Sequence, residues 1–123
     1  MLETLECFNN WLSVLDVSEN TKLETLKCQS NYLTSLSVYN NTALKILNCN
    51  TNKLTSLDIT HCAGMRWLLC SGNNLTSLDI SKCPKLVDLM KTADRDEKKE
   101  GRVKYEDGDI RMLEFDKDIE VIK

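Results

Sequence analysis

Leucines recur along this chain at fixed offsets, and the polar positions between them recur with the same spacing. From Leu2 the sequence reads LETLECFNNWLSVLDVSENTK, LETLKCQSNYLTSLSVYNNTA, LKILNCNTNKLTSLDITHCAG and MRWLLCSGNNLTSLDISKCPK, a period of 21 residues, after which LVDLM opens a fifth copy. A fixed period in the twenties predicts stacked coils, each of which buries its apolar edge only against its neighbours. Leu2, Leu5, Cys7, Asn10, Leu12, Leu15, Val17 and Asn20 mark the inward positions of the first unit, and their equivalents recur in the others. Each unit is itself two similar halves, LxxLxCxxN followed by LxxLxV or LxxLxI and then Asn or Cys. The alternation of Leu5 with Cys7, and of Leu15 with Val17, predicts a short strand on each side of a flattened coil. Stacking then predicts two parallel sheets, with coils about 4.8 Å apart and no room for a helix between them.

The pattern breaks after Met90. The repeat region is therefore assigned to residues 1–90, with repeats 2–22, 23–43, 44–64 and 65–85 and a partial repeat 86–90. Residues 91–123 are assigned to a charged loop and a β-structured C-terminal cap. KTADRDEKKEG reads as a loop or one short helix, and RVKYE and DIRML flank Asp107-Gly108 as a hairpin. Asp116 to Asp118 offers another turn and IEVIK a last strand. The predicted fold class is a leucine-rich repeat solenoid, mostly β with little helix, closed by a β-hairpin cap.

Two ladders follow from the spacing. Asn10, Asn31, Asn52 and Asn73 stand where the chain leaves a strand, and an inward amide there satisfies backbone groups that the turn leaves unpaired. At the second such position Asn20 and Asn41 give way to Cys62 and Cys83. Cys7, Cys28, Cys49 and Cys70 share one repeat position, so their side chains point in parallel directions. That geometry favours reduced thiols in the core over disulfides, and the absence of C-x-x-C pairs argues against zinc.

The 21-residue unit with Cys in place of a consensus Leu, as in LETLKCQSNYLTSLSV and LKILNCNTNKLTSLDI, resembles the leucine-rich repeats of internalin J and related bacterial surface proteins. The resemblance covers about residues 2 to 90 and rests on the period, the cysteine ladder and the LTSLDIS phrase. It implies a secreted or cell-surface location and a role in adhesion or protein recognition. Repeat residues follow Met1 directly, so the sequence leads one to expect neither a signal peptide nor a cap before the first coil. A first coil beginning at Leu2 exposes one side of Leu5, Cys7, Leu12, Leu15 and Val17, which predicts self-association through that coil or further coils upstream.

Composition narrows the function classes. The 123 residues are 41% hydrophobic and 28% charged, and 16 basic residues are outnumbered by 19 acidic ones for a net charge of -3. That balance argues against nucleic acid as a partner, and no apolar run is long enough for membrane insertion. His61 is the only histidine and falls in a loop-side position, and every cysteine lies on a ladder, so no catalytic residue, cofactor site or metal site is assigned. Asp58 and Asp79 stack on an outward ladder with Asp16, broken by Ser37, and read as a solvated face. Comparing the repeats separates scaffold from candidate surface. Thr34-Ser35, Thr55-Ser56 and Thr76-Ser77 barely change, with only Ser13-Val14 divergent, whereas the outward residues of the first halves vary, from Glu3, Thr4, Glu6 and Phe8 through Glu24, Thr25, Lys27 and Gln29 and Lys45, Ile46, Asn48 and Asn50 to Arg66, Trp67, Leu69 and Ser71. The candidate protein-binding residues are Phe8, Trp11, Lys27, Gln29, Tyr32, Lys45, Asn48, Arg66, Trp67 and Leu69, with Trp67 as the expected anchor. The expected function is a non-catalytic protein-interaction module using this face. The alternative is a structural C-terminal part of a longer surface protein with no binding site of its own.

Overall fold

The computed structural model describes residues 1–123. Four short strands, β1 (Thr4–Glu6), β2 (Thr25–Lys27), β3 (Ile46–Asn48) and β4 (Trp67–Leu69), occupy the same place in successive repeats. They pair in parallel, with Leu5, Leu26, Leu47 and Leu68 in one row. Leu26, Leu47 and Leu68 are wholly buried, while the residues on either side of each face outward. One apolar cluster runs through the coils from Val17 to Phe115, and Leu5, Cys7, Leu12 and Leu15 of the first coil are only partly covered by it.

The second halves do not form the continuous sheet that their alternation predicts. Only β5 (Ser77–Asp79) is a strand on that side, paired in parallel with β8 (Glu120–Ile122). Elsewhere neighbouring coils share a backbone link at the entry to the half, from Tyr32 N–H to the Leu12 carbonyl at 2.8 Å and from Lys53 N–H to the Leu33 carbonyl at 2.8 Å. Asp16, Asp58 and Asp79 each accept the N–H two residues on, at 2.9 Å, which turns the backbone after the half both where it is a strand, at β5, and where it is not.

LVDLM is not the strand of a fifth coil. It lies in helix α1 (Pro84–Thr92), where Pro at the first turn suits a helix start and Leu86, Leu89 and Met90 bury one face at helical spacing. Helix α2 (Arg95–Glu100) follows, opened by an Asp94 and Glu97 capping box. The fifth place in the sheet is taken by β7 (Arg111–Glu114), which lies parallel to β4 with Leu113 beside Leu68. One step on, Phe115 stands where Cys70 stands in the coil above. β6 (Arg102–Tyr105) adds antiparallel to β7 as the expected hairpin, so the sheet is mixed, in the order β1-β2-β3-β4-β7-β6. The helices and hairpin are tied to the fifth coil at Gly101, where φ is 72° and an added Cβ would lie 2.2 Å from the Phe115 carbonyl oxygen.

Asparagine amides join each coil to the one before it. The Asn52 Nδ2 donates to the carbonyls of Cys49 in its own coil and Cys28 in the previous one, both at 3.1 Å, and its Oδ1 accepts the Leu33 N–H at 3.0 Å. Asn31 and Asn73 repeat the arrangement. On the opposite side Asn41 donates to the Val17 and Asn20 carbonyls, and the Cys62 and Cys83 thiols meet the equivalent carbonyls at 3.4 to 3.8 Å.

Asn10 is exposed and bonds only within its own coil, to the Cys7 and Phe8 carbonyls. Asn52→Ala is therefore expected to cost about 3 kcal/mol, because a buried N–H and two carbonyls lose their partner, and Asn10→Ala less than about 1 kcal/mol. Urea denaturation of the two variants checks this; equal losses would mean that the inter-coil bonds contribute nothing beyond the local turn.

Candidate functional site

The parallel register sorts the outward residues into rows. Thr4, Thr25, Ile46, Trp67, Met112 and Lys104 form one row, and Glu6, Lys27, Asn48, Leu69, Glu114 and Arg102 the next. Lys27, Asn48, Trp67 and Leu69 thus share the outer face of one sheet, and Lys45 and Arg66 stand at the entries to β3 and β4. Lys27 pairs with Glu6 at 2.8 Å and Lys45 with Glu24 at 3.0 Å. The Arg66 guanidinium donates to the Ile110 carbonyl at 3.0 Å. Trp67 is half-buried between Ile46 and Met112 and is not a projecting ring.

The other candidates lie beyond the strand ends. Phe8 is exposed and Gln29 half-buried, one residue after the ladder cysteine of each coil. Trp11 and Tyr32 sit at the next turn, with ring centroids 5.5 Å apart and planes 12° from parallel. Trp11 is 83% exposed, the most open aromatic side chain in the molecule. Lys53 continues their row, with its ammonium 5.3 Å from the Tyr32 ring centroid. Together with Asn9, Ser30 and Thr51 they line a shallow cleft of about 380 Å³. Asn9, Ser30, Thr51 and Gly72 hold the same repeat position and all have positive φ, between 56° and 69°. Their N–H groups donate to the following coil, Thr51 to Ser71 at 2.9 Å and Gly72 to the Asp116 carboxylate at 2.7 Å.

Residues of the last segment extend the sheet face. Met112, Glu114, Lys104 and Arg102 belong to it, although no 21-residue spacing places them there. Lys53 could have been found, since it stands one period after Tyr32. Glu114 is a hub, accepting from Arg102 at 3.0 Å, Ser71 Oγ at 2.7 Å and Asn50 Nδ2 at 3.2 Å.

The chemistry of the remaining polar groups is quiet. All six cysteines are free thiols. Burial pushes Cys28, Cys70 and Cys83 up to about 12 and Cys62 to about 11, and raises Cys49 well above the ordinary thiol value and Cys7 less far. The hydroxyls and N–H groups of Ser18, Thr60 and Ser81 hold the Asp16, Asp58 and Asp79 carboxyls below the usual value. His61 packs against the Tyr39 ring at 4.1 Å. No three His, Cys, Asp or Glu side chains converge as metal ligands. No helix is long and apolar enough to cross a membrane.

No protein-family model matches the chain, and no curated protein matches it. Among solved structures it is similar to the functional domain of InlJ from Listeria monocytogenes, which includes a cysteine ladder. The two are 42% identical with a TM-score of 0.68, over 68% of this chain and 19% of that one. The match therefore spans less than a fifth of that solved chain's length.

The raised thiols make folding sensitive to alkali. An unfolded chain loses these protons near 9.0, whereas the folded chain holds them to about 12. Their contribution is complete below pH 9.0 and is lost as pH climbs toward 12. Urea midpoints are expected to fall through that window, and a thiol reagent at about pH 8 should label Cys7 first and the rest only on unfolding. Rapid labelling of Cys49 in the folded protein would contradict the burial of the ladder.

Proposed function

We propose that this chain, built of internalin-like leucine-rich repeats that carry a cysteine ladder, is a non-catalytic protein-interaction module of the bacterial surface-protein type. In this reading the repeats form a short solenoid that displays the outward face of β1 to β4 to a protein ligand. One observation carries it: the row Glu6, Lys27, Asn48 and Leu69 changes in every coil and the row Thr4, Thr25, Ile46 and Trp67 from the second coil on, at a backbone geometry that does not change, while Thr-Ser recurs on the opposite half of the second, third and fourth coils. The cap strands β7 and β6 widen the same face, which brings it closer to the roughly 800 Å² per partner of a standard interface. The protonated ladder thiols and the single histidine give no nucleophile-base pair to support catalysis.

The candidate residues then divide into a sheet group around Trp67, Arg66, Lys45, Asn48, Leu69 and Lys27, and a turn group of Phe8, Trp11, Gln29 and Tyr32. Panning a displayed random peptide library against the immobilised chain tests the division. Trp67→Ala and Arg66→Ala are expected to weaken enriched peptides about 10-fold or more, with Thr34→Ala and Thr55→Ala without effect. Peptides that tolerate both sheet variants would reject this face, and a library that enriches nothing favours the structural alternative.

The partly covered Leu5, Cys7, Leu12 and Leu15 favour self-association as a second contact. Sedimentation equilibrium of the 123-residue chain is expected to show a dimer at micromolar concentration; a constant monomer mass would remove it.

A further inference from the structure

We infer that the cleft at the turns of the first three coils binds a neutral saccharide, which sets its pyranose rings on Trp11 and Tyr32 and its hydroxyls on Asn9, Ser30 and Thr51. The site is separate from the sheet face and goes beyond the reading above, so either can fail without the other.

The polar row is the first observation. Asn9, Ser30 and Thr51 hold a turn position whose φ of 56° to 58° favours glycine, and the fourth coil, outside the cleft, has Gly72 there. For Thr, branched at Cβ, this conformation is an outlier. The fold uses the N–H of each residue, which donates to the next coil, and spends the Asn31 and Asn52 amides of the cleft on backbone carbonyls. The side chains of the three turn residues stay out of that network. They bring one amide and two hydroxyls to the cleft at a cost in backbone strain, and strain of this kind gathers where a side chain serves a ligand.

The second row is aromatic. Trp11 and Tyr32 overlap through one face each, with 5.5 Å between centroids, and Trp11 is otherwise open. Lys53 supplies the only charge in the lining, and its ammonium stands over the Tyr32 ring. Aromatic surface beside neutral hydrogen-bonding groups matches a pyranose, which carries C–H groups on one face and hydroxyls around its rim. Coils repeat about every 4.8 Å, close to the length of one pyranose, so a linear oligosaccharide laid along the stack advances by one ring per coil. Other occupants fit less well. A polyproline helix needs an open slot between rings, and the stacked pair leaves none. A nucleic acid strand needs a run of cations for its phosphates, and the lining holds one lysine.

The test uses Trp67→Phe, so that Trp11 alone reports by fluorescence. Chitohexaose, cellohexaose and β-1,4-galactohexaose are titrated in turn. At least one is expected to shift Trp11 emission saturably, with an affinity that does not change with salt. Adding Ser30→Gly or Thr51→Gly to this parent should weaken that sugar about 5-fold, the loss of one hydrogen bond. The urea midpoint should meanwhile hold or rise, because glycine relieves the strained turn. Circular dichroism confirms that the parent and both variants fold. Failure of all three sugars to give a saturable shift overturns the inference. An equal response to a proline decamer or to oligothymidylate also overturns it, and so do glycine variants that bind the sugar as tightly as the parent.

Discussion

One carboxamide per coil sets the terms for everything else in this molecule. A coil of 21 residues without a helix has its strand exit buried on both sides, where neither water nor a regular ladder reaches the peptide groups. Asn31, Asn52 and Asn73 meet that demand by bonding backward as well as within their own turn. The backward bonds fix coil separation and register together. The outward rows align because the amides do, so the same constraint that closes the interior also orders the face on which Trp67, Leu69 and Asn48 lie.

The thiols show how far that constraint can be relaxed. On the opposite side Asn41 satisfies two carbonyls, but its own Oδ1 is buried without a partner. Cys62 and Cys83 bring a weaker donor to the equivalent carbonyls of the later coils and bury no orphaned oxygen. Ladder cysteines at the strand position are buried as small apolar side chains, Cys28 and Cys49 without a polar partner and Cys70 with its thiol 3.3 Å from the Glu114 carbonyl. Their acidity is a by-product of that packing.

The repeat sheet was legible from residues because one residue type marks each inward slot, and Leu5, Leu26, Leu47 and Leu68 fall into one row as their spacing requires. The missing second sheet was not, since LTSLDI has the alternation of a strand while neighbouring coils are tied there only at the entry to the half, as from Tyr32 to Leu12 and from Lys53 to Leu33. LVDLM misled for a related reason: Leu86, Leu89 and Met90 suit either a coil or a helix, and the decisive signal was Pro84 at the first turn. Leu113 and Phe115 take the fifth coil's slots after two helices and a strand, so no fixed period reaches them. The same spacing places Lys27, Asn48, Trp67 and Leu69 in the sheet rows, and it does not reach Met112 and Lys104.

That detour separates β5 from its partner β8 by two helices and a hairpin, although the two strands are neighbours in space. The earlier coils close short loops one after another, each along a single repeat. The final coil must instead bring together ends of a much longer loop, which costs more chain entropy before any contact is gained. Folding is thereby given a direction: the asparagine-linked coils assemble by local steps, and the fifth coil zips shut last, as a latch whose closing commits the whole stack.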